Sequence, residues 1–393
     1  MADLEMDSEQ MTAILDSIEP LLRDAFLKMI QRVRTNLSPD SILRMIAERR
    51  YEDASDAFDA AATSFSNDIA KSFAFSAEEA ATFLSGALKT IVAFDQFNER
   101  AVNLMRQNRL ELVKAFTDEQ VQVVRDVITN GIARGTNPIA MAREFRDSIG
   151  LTPRQAQYVQ NYRDALERVH DVQSMGPTEA ERTRQSALGR ELRDGRSDRS
   201  VRNAIADEAP LPSKQIDSMV ERYRQNFIAY RAEVIARTEG LRAVHQGVEE
   251  MFAQVLDSGD VPSEFVTRIW NTAGDERVRP AHVFMDGQTV GVDEPFVDGD
   301  GNELAYPGDP NAPPETTLQC RCVVSTRISV RAITDGDGRG SSRPGPYRVT
   351  GRWRLEAARR SGSSSSSRAT EPIARRQPSS RSRRAGRARA SSS

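Results

Sequence analysis

The sequence predicts an α+β protein: a largely α-helical N-terminal region, then a small α+β module, then a disordered basic tail. Three observations carry that prediction. Apolar residues recur at steps of three and four through about the first 258 positions, the one-face period of a helix. Seven of the eighteen prolines fall between Pro262 and Leu318, a density that excludes long helices there. Beyond about 332 the chain is mostly Arg, Ser, Gly and Ala, which cannot bury enough apolar surface to offset the entropy of ordering.

In chain order, Ile14, Ile18, Leu21, Leu22, Ala25, Phe26, Met29 and Val33 form the first helical stripe. Ala54, Phe58, Ala61, Phe65 and Ile69 form a second, and Ala80, Phe83, Leu84, Ala87, Leu88 and Ile91 a third. Ser76 to Glu79 and Thr117 to Gln120 have the spacing of capping boxes and predict helix starts. Thr152-Pro153-Arg154-Gln155 predicts another, with proline where a missing N–H costs nothing. Gly131, Gly135 and Asn137-Pro138 separate one helix from the next. A helix over Ala229–Ala253 leads into the proline-rich stretch. There Phe265–Trp270, Thr289–Val292 and Arg321–Ile328 read as strands, with turns at Gly299–Asn302 and Tyr306–Pro310. The predicted divisions are a helical region 1–115, a second helical region 116–227, the α+β module 228–330 and the tail 331–393.

Composition narrows the function classes. Two cysteines in 393 residues exclude a disulfide-built scaffold. A mean hydropathy of -0.54 with no long apolar run predicts no transmembrane helix and no membrane partner. The acidic start, Met1 to Asp7, predicts neither signal nor transit peptide. The formal charge of -3 is an average of unlike parts. Sixteen of the 54 basic residues but four of the 57 acidic ones lie from Arg331 onward, so an acidic body carries a tail of net +12. Those arginines suit sequence-independent, salt-dependent contact with DNA phosphates; an unselected C-terminus is the alternative. Tyr347 and Trp353 are too few aromatics for a base-stacking platform.

Candidate chemistry gathers between Arg237 and Cys322. Cys320 and Cys322 are two apart, which in a strand points them to opposite faces, so they can share a metal only at a kink. His282 is a third candidate ligand, with Asp275, Asp286, Asp309 or water as the fourth, and zinc suits such a Cys₂His set. Reduced buried thiols or a disulfide are the other readings of the pair. In an enzyme reading His282 is a general base oriented by Asp275 or Asp286, with Arg277 or Arg279 binding an anion. That gives a metal-dependent hydrolase or nuclease using His282, Cys320 and Cys322 as the alternative function. In a structural reading the same carboxylates and guanidiniums pair with each other to hold a module that lacks a large core. Arg237-Thr238-Glu239, by composition, is a polar patch on a helix.

The ordered set resembles a known family. Ile235-Ala-Arg237-Thr238-Glu239, Trp270 with Asp275, Arg279-Pro-Ala-His282, Asp286-Gly287, Phe296, Leu304, Pro307-Gly308-Asp309-Pro310 and Cys320-Arg321-Cys322 are similar to the phage Mu F-like head morphogenesis (minor capsid protein) family. The likeness covers about 230–325, and the helices near Leu151 and Gln215 resemble the segment preceding that module. The resemblance implies a non-enzymatic minor head protein of a phage or prophage, acting in virion assembly. It implies portal, scaffold and capsid proteins as partners, and residence in the host cytoplasm during assembly and in the capsid interior afterwards. The Arg/Ser tail is not a feature of that family.

Overall fold

The computed structural model describes residues 3–89, 91–259 and 261–329, and all of them fall in one compact unit. The Arg/Ser-rich tail lies outside the described residues. Among the described residues nine helices of eight or more residues come first: α1 (Ser8–Asn36), α2 (Pro39–Glu48), α3 (Ser55–Leu88), α4 (Glu99–Ala133), α5 (Pro138–Ser148), α6 (Pro153–Arg168), α7 (Pro177–Leu188), α8 (Asp198–Ala206) and α9 (Ser213–Ser258). The α+β part then follows with β2 (Val266–Asn271), α10 (Pro280–Val283), β3 (Thr289–Gly291), β4 (Phe296–Val297), β5 (Glu303–Leu304), α11 (Pro314–Thr317) and β6 (Val323–Ile328). One strand precedes everything: β1 (Leu4–Met6).

α1, α2, α4, α5 and α6 begin where a side chain satisfies one of their first orphan amides. Asp7 caps α1 in a reciprocal box with Gln10, at 2.9 Å and 3.0 Å. Ser38-Pro39 starts α2, Asn137-Pro138 starts α5, and Thr152 forms the expected box with Gln155 at α6. The other two predicted starts are corrected. Ser76 lies inside α3, where its hydroxyl bonds back to Ser72 O at 2.8 Å. Thr117 lies inside α4 and reaches across to Asp59 Oδ1 at 2.5 Å. Gln120 does not cap either; its amide accepts from Gly150 N and donates to Leu151 O, fixing the turn before α6.

α9 is the spine. It runs 46 residues, about 69 Å at the α-helical rise, starting sixteen residues earlier than expected because no Gly or Pro lies between Pro212 and Ala229. α1 and α3 pack along it. From Gly240 to Phe252 it is buried almost all round. Gly247 permits the closest approach: a Cβ there would sit 2.3 Å from Phe73 O of α3.

The four-stranded antiparallel sheet has the order β1-β6-β2-β3. β6 pairs with β2 along its whole length, from Val266↔Ile328 to Asn271↔Val323. Its other edge takes β1, with Leu4↔Ile328 and Met6↔Thr326. The chain start, expected to be part of the helical region, is therefore an edge strand. Glu5 holds it there, accepting from Arg327 at 2.6 Å and 3.0 Å and from Ser325 Oγ at 3.1 Å. A second ribbon, β4-β5, pairs Phe296 with Leu304 and puts both in the small core beneath Trp270. Among the described residues no helix is long and apolar enough to cross a membrane.

Candidate functional site

Most of the predicted motif residues stand where β2, α10, the turn at 306–310 and the start of β6 meet α9. Trp270, fully buried at the end of β2, is the centre of that region. Its ring meets His282 edge-on at 5.6 Å and Phe296 at 5.2 Å. Its backbone closes the turn before β3, with N bonded to Gln288 O at 2.9 Å and O accepting from Gly287 N at 2.8 Å. Gly287 has φ +75°, a conformation that favours glycine. Asp286 Oδ1 accepts from Thr272 N and Oγ1 at 2.9 Å and 2.8 Å, tying the two ends of the intervening loop.

Cys320 and Cys322 precede β6 in non-strand backbone. Gln319, at φ +55°, supplies the kink that the spacing required. The result is convergence. Cys320 Sγ lies 3.5 Å and Cys322 Sγ 3.6 Å from the same atom, His282 Nδ1. All three side chains are buried, at 1%, 3% and 1% exposure for Cys320, Cys322 and His282. Cys322 N donates to Cys320 Sγ at 3.5 Å. Hydrogen bonds from Cys322 and His282 hold the Cys320 thiol below its usual range in spite of burial, whereas its bond to Cys320 and burial push Cys322 up.

The acid–base arrangement expected around His282 is not formed. Asp275 instead makes a two-pronged pair with Arg321, at 2.6 Å and 2.5 Å, and Arg321 with Arg277 holds its carboxyl well below the usual range. Asp286 is engaged by Thr272, as above. Arg279 donates to Leu318 O, fastening the α10 entry to the segment just before Cys320. The guanidiniums thus serve as fasteners between loops. Asp309 is likewise taken, accepting from Ala305 N and Asn311 N at 2.8 Å each.

The Arg237-Thr238-Glu239 run is more than a polar patch. Arg237 pairs with Glu19 of α1 at 3.3 Å. Thr238, buried, accepts from Gln319 N at 3.4 Å, next to the Cys pair. Glu239 pairs with Arg242 at 3.2 Å, and Arg242 donates to Gly308 O at 3.3 Å within Pro307–Pro310. Burial pushes the Glu239 carboxyl up, against the pull of Arg242. Arg237 and Thr238 therefore grip two separate segments directly, and Glu239 supports a third grip through Arg242.

Two further organising residues were not among the sequence-based candidates. Arg268 is 6% exposed and donates to Glu249, Ala305 O and Glu294 O at 2.8, 3.0 and 2.6 Å, with Gly291 O at 3.3 Å. Its signal was period two: Val266, Arg268 and Trp270 share the buried face of one strand. His245 is buried in α9; Nδ1 lies 2.8 Å from Leu241 O and Nε2 accepts from Val324 N at 3.1 Å. Burial lowers its pKa to about 4, so it joins α9 to β6 as a neutral ring.

With this geometry in hand, comparison with known proteins identifies the region. The family model described as Phage Mu protein F like protein matches residues 182–325. That part of the chain is similar to the Mu F-like family. The match begins in α7, takes in α8 and all of α9, and ends in β6, so the matched region holds the spine helix with β2, β3 and the first half of β6 and leaves out β1. No curated protein and no solved structure matches the chain. A groove of about 1370 Å³ along α5, α6 and the start of α9 contains none of the motif residues. The motifs therefore map to fasteners in the module, and the groove lies apart from them.

Proposed function

We propose that this chain is a minor head protein of a phage or prophage that acts in head morphogenesis, taking its place at the portal. The observation that carries the reading is the match over 182–325, which coincides with the elements the motif residues fasten together. The fastened module is a compact knob on a long helix, and the helical body offers exposed apolar side chains such as Leu110, Ile132 and Ile139 for docking. In this reading the partners are portal, scaffold and capsid proteins. The protein works in the host cytoplasm during assembly and in the capsid interior afterwards. The acidic body is unsuited to DNA, so any DNA contact belongs to the tail from Arg331.

Co-purification of the full chain with the portal protein encoded beside it tests the proposal. A stable complex at physiological salt is expected, and no association would count decisively against the portal role. Truncation after residue 330 should abolish DNA retention at low salt while leaving the portal complex intact. Unchanged retention would remove the tail from the account. The hydrolase reading draws no support from the geometry: Asp275 and Asp286 are committed elsewhere, and His282 is buried away from any polymeric substrate.

A further inference from the structure

We propose that His282 Nδ1, Cys320 Sγ and Cys322 Sγ bind one zinc ion, which locks the start of β6 to α10. The argument is metric. Zinc bonds of about 2.3 Å to sulfur and about 2.0–2.1 Å to nitrogen, opened to the tetrahedral angle, separate the N and S ligands by about 3.6 Å. The two observed N···S separations are 3.5 Å and 3.6 Å. All three ligand atoms lie within 4.8 Å of one another, as a shared ion requires.

Hydrogen bonding alone does not account for that convergence. An imidazole Nδ1 either accepts one S–H through its single lone pair or donates one N–H, so it serves one sulfur and not two. A cation placed between them serves all three atoms. The Cys322 N–H on Cys320 Sγ supports a thiolate at that position, the second-layer contact expected around a ligating sulfur. The kink at Gln319, stapled by Thr238, turns both cysteines inward where a regular strand would separate them.

Charge is consistent with burial. As the ion enters, each thiol gives its proton to solvent, and two thiolates cancel the two charges of zinc without any change of oxidation state. A neutral centre is the form that a site exposed by only 1–3% tolerates. No fourth His, Cys, Asp or Glu joins the three among the described residues, so water completes the coordination.

The test uses the full chain, purified without a polyhistidine tag and analysed for metals by plasma mass spectrometry. About one zinc per chain is expected, falling to background in Cys320→Ser and in Cys322→Ser. To keep the test independent of how either variant folds, the intact wild-type protein is also exchanged with cobalt(II). Thiolate-to-cobalt charge transfer in the near ultraviolet and intense visible bands of four-coordinate cobalt are expected. Wild-type protein without zinc and without those bands would overturn the proposal. So would a Cys320–Cys322 disulfide found by intact mass, or zinc that survives both substitutions.

Discussion

Acid should weaken this protein through His245, and the size of the effect follows from where that ring sits. Both ring nitrogens are used in the neutral form, one on Leu241 O and one on the Val324 amide, and burial lowers the pKa from 6.5 to about 4. In the unfolded chain the ring returns to about 6.5. Between those values the unfolded state binds a proton that the native state refuses. The stabilisation is therefore complete above about pH 6.5 and is lost as pH falls towards 4. A shift of roughly two and a half units is worth about 3 kcal/mol, at about 1.4 kcal/mol per unit. Urea unfolding followed by circular dichroism, on wild type and His245→Phe, measures it. At about pH 7.5 the variant should be weaker by about 1–3 kcal/mol, because the Val324 N–H loses its acceptor in a dry setting. By about pH 4.5 that gap should shrink by most of 3 kcal/mol or reverse, since only the wild type carries the ring that must stay uncharged. A gap that stays constant with pH would refute the assignment of His245 as a neutral connector.

Two further substitutions test the packing. Gly247→Ala should destabilise the fold by about 1–3 kcal/mol: the roughly 1 kcal/mol gained in helix propensity is outweighed by a Cβ placed 2.3 Å from the Phe73 carbonyl oxygen, and thermal unfolding would show the sign. Arg268→Met should cost about 3 kcal/mol, at the low end for breaking a buried pair, because Glu249 is already pushed up to about 7 by burial and can take a proton. Adding Glu249→Gln to Arg268→Met should recover part of that loss in a double-mutant cycle, and strictly additive effects would mean that the two residues do not act together.

How much of this was legible in the sequence depends on the range of each interaction. Thr152 and Asn137-Pro138 give correct helix starts because a cap is a contact between near neighbours. The same local pattern fails at Ser76 and Thr117. There, apolar stripes continue on both sides, and α9 and α3 bury them, which outweighs a cap worth about 1 kcal/mol. β1 was hidden for a different reason. Three residues carry too little periodicity to signal a strand, and its partner lies more than three hundred positions away at Thr326–Ile328.

The site shows the same division at higher resolution. The residue types in the motifs were conspicuous, yet their chemistry depends on partners that the spacing does not reveal. Asp275 could have oriented His282, and it is Arg321, held beside the loop by the register of β6, that claims it. Once Asp275 and Asp286 are withdrawn, His282 faces only sulfur at Nδ1. Thr238 completes the argument. A hydroxyl in the middle of a helix offers little to local structure, but here it holds the Gln319 amide and so fixes the kink that brings Cys320 and Cys322 together. The helix motif and the cysteine motif, some eighty residues apart, are thus two halves of one fastening. That physical link explains why the module carries both: with Thr238 removed, the Gln319 backbone amide loses its α9 acceptor, and the exposed bond from Gln319 Nε2 to the Tyr230 hydroxyl at 3.2 Å is left to hold the turn that converts two opposed strand positions into one ligand pair.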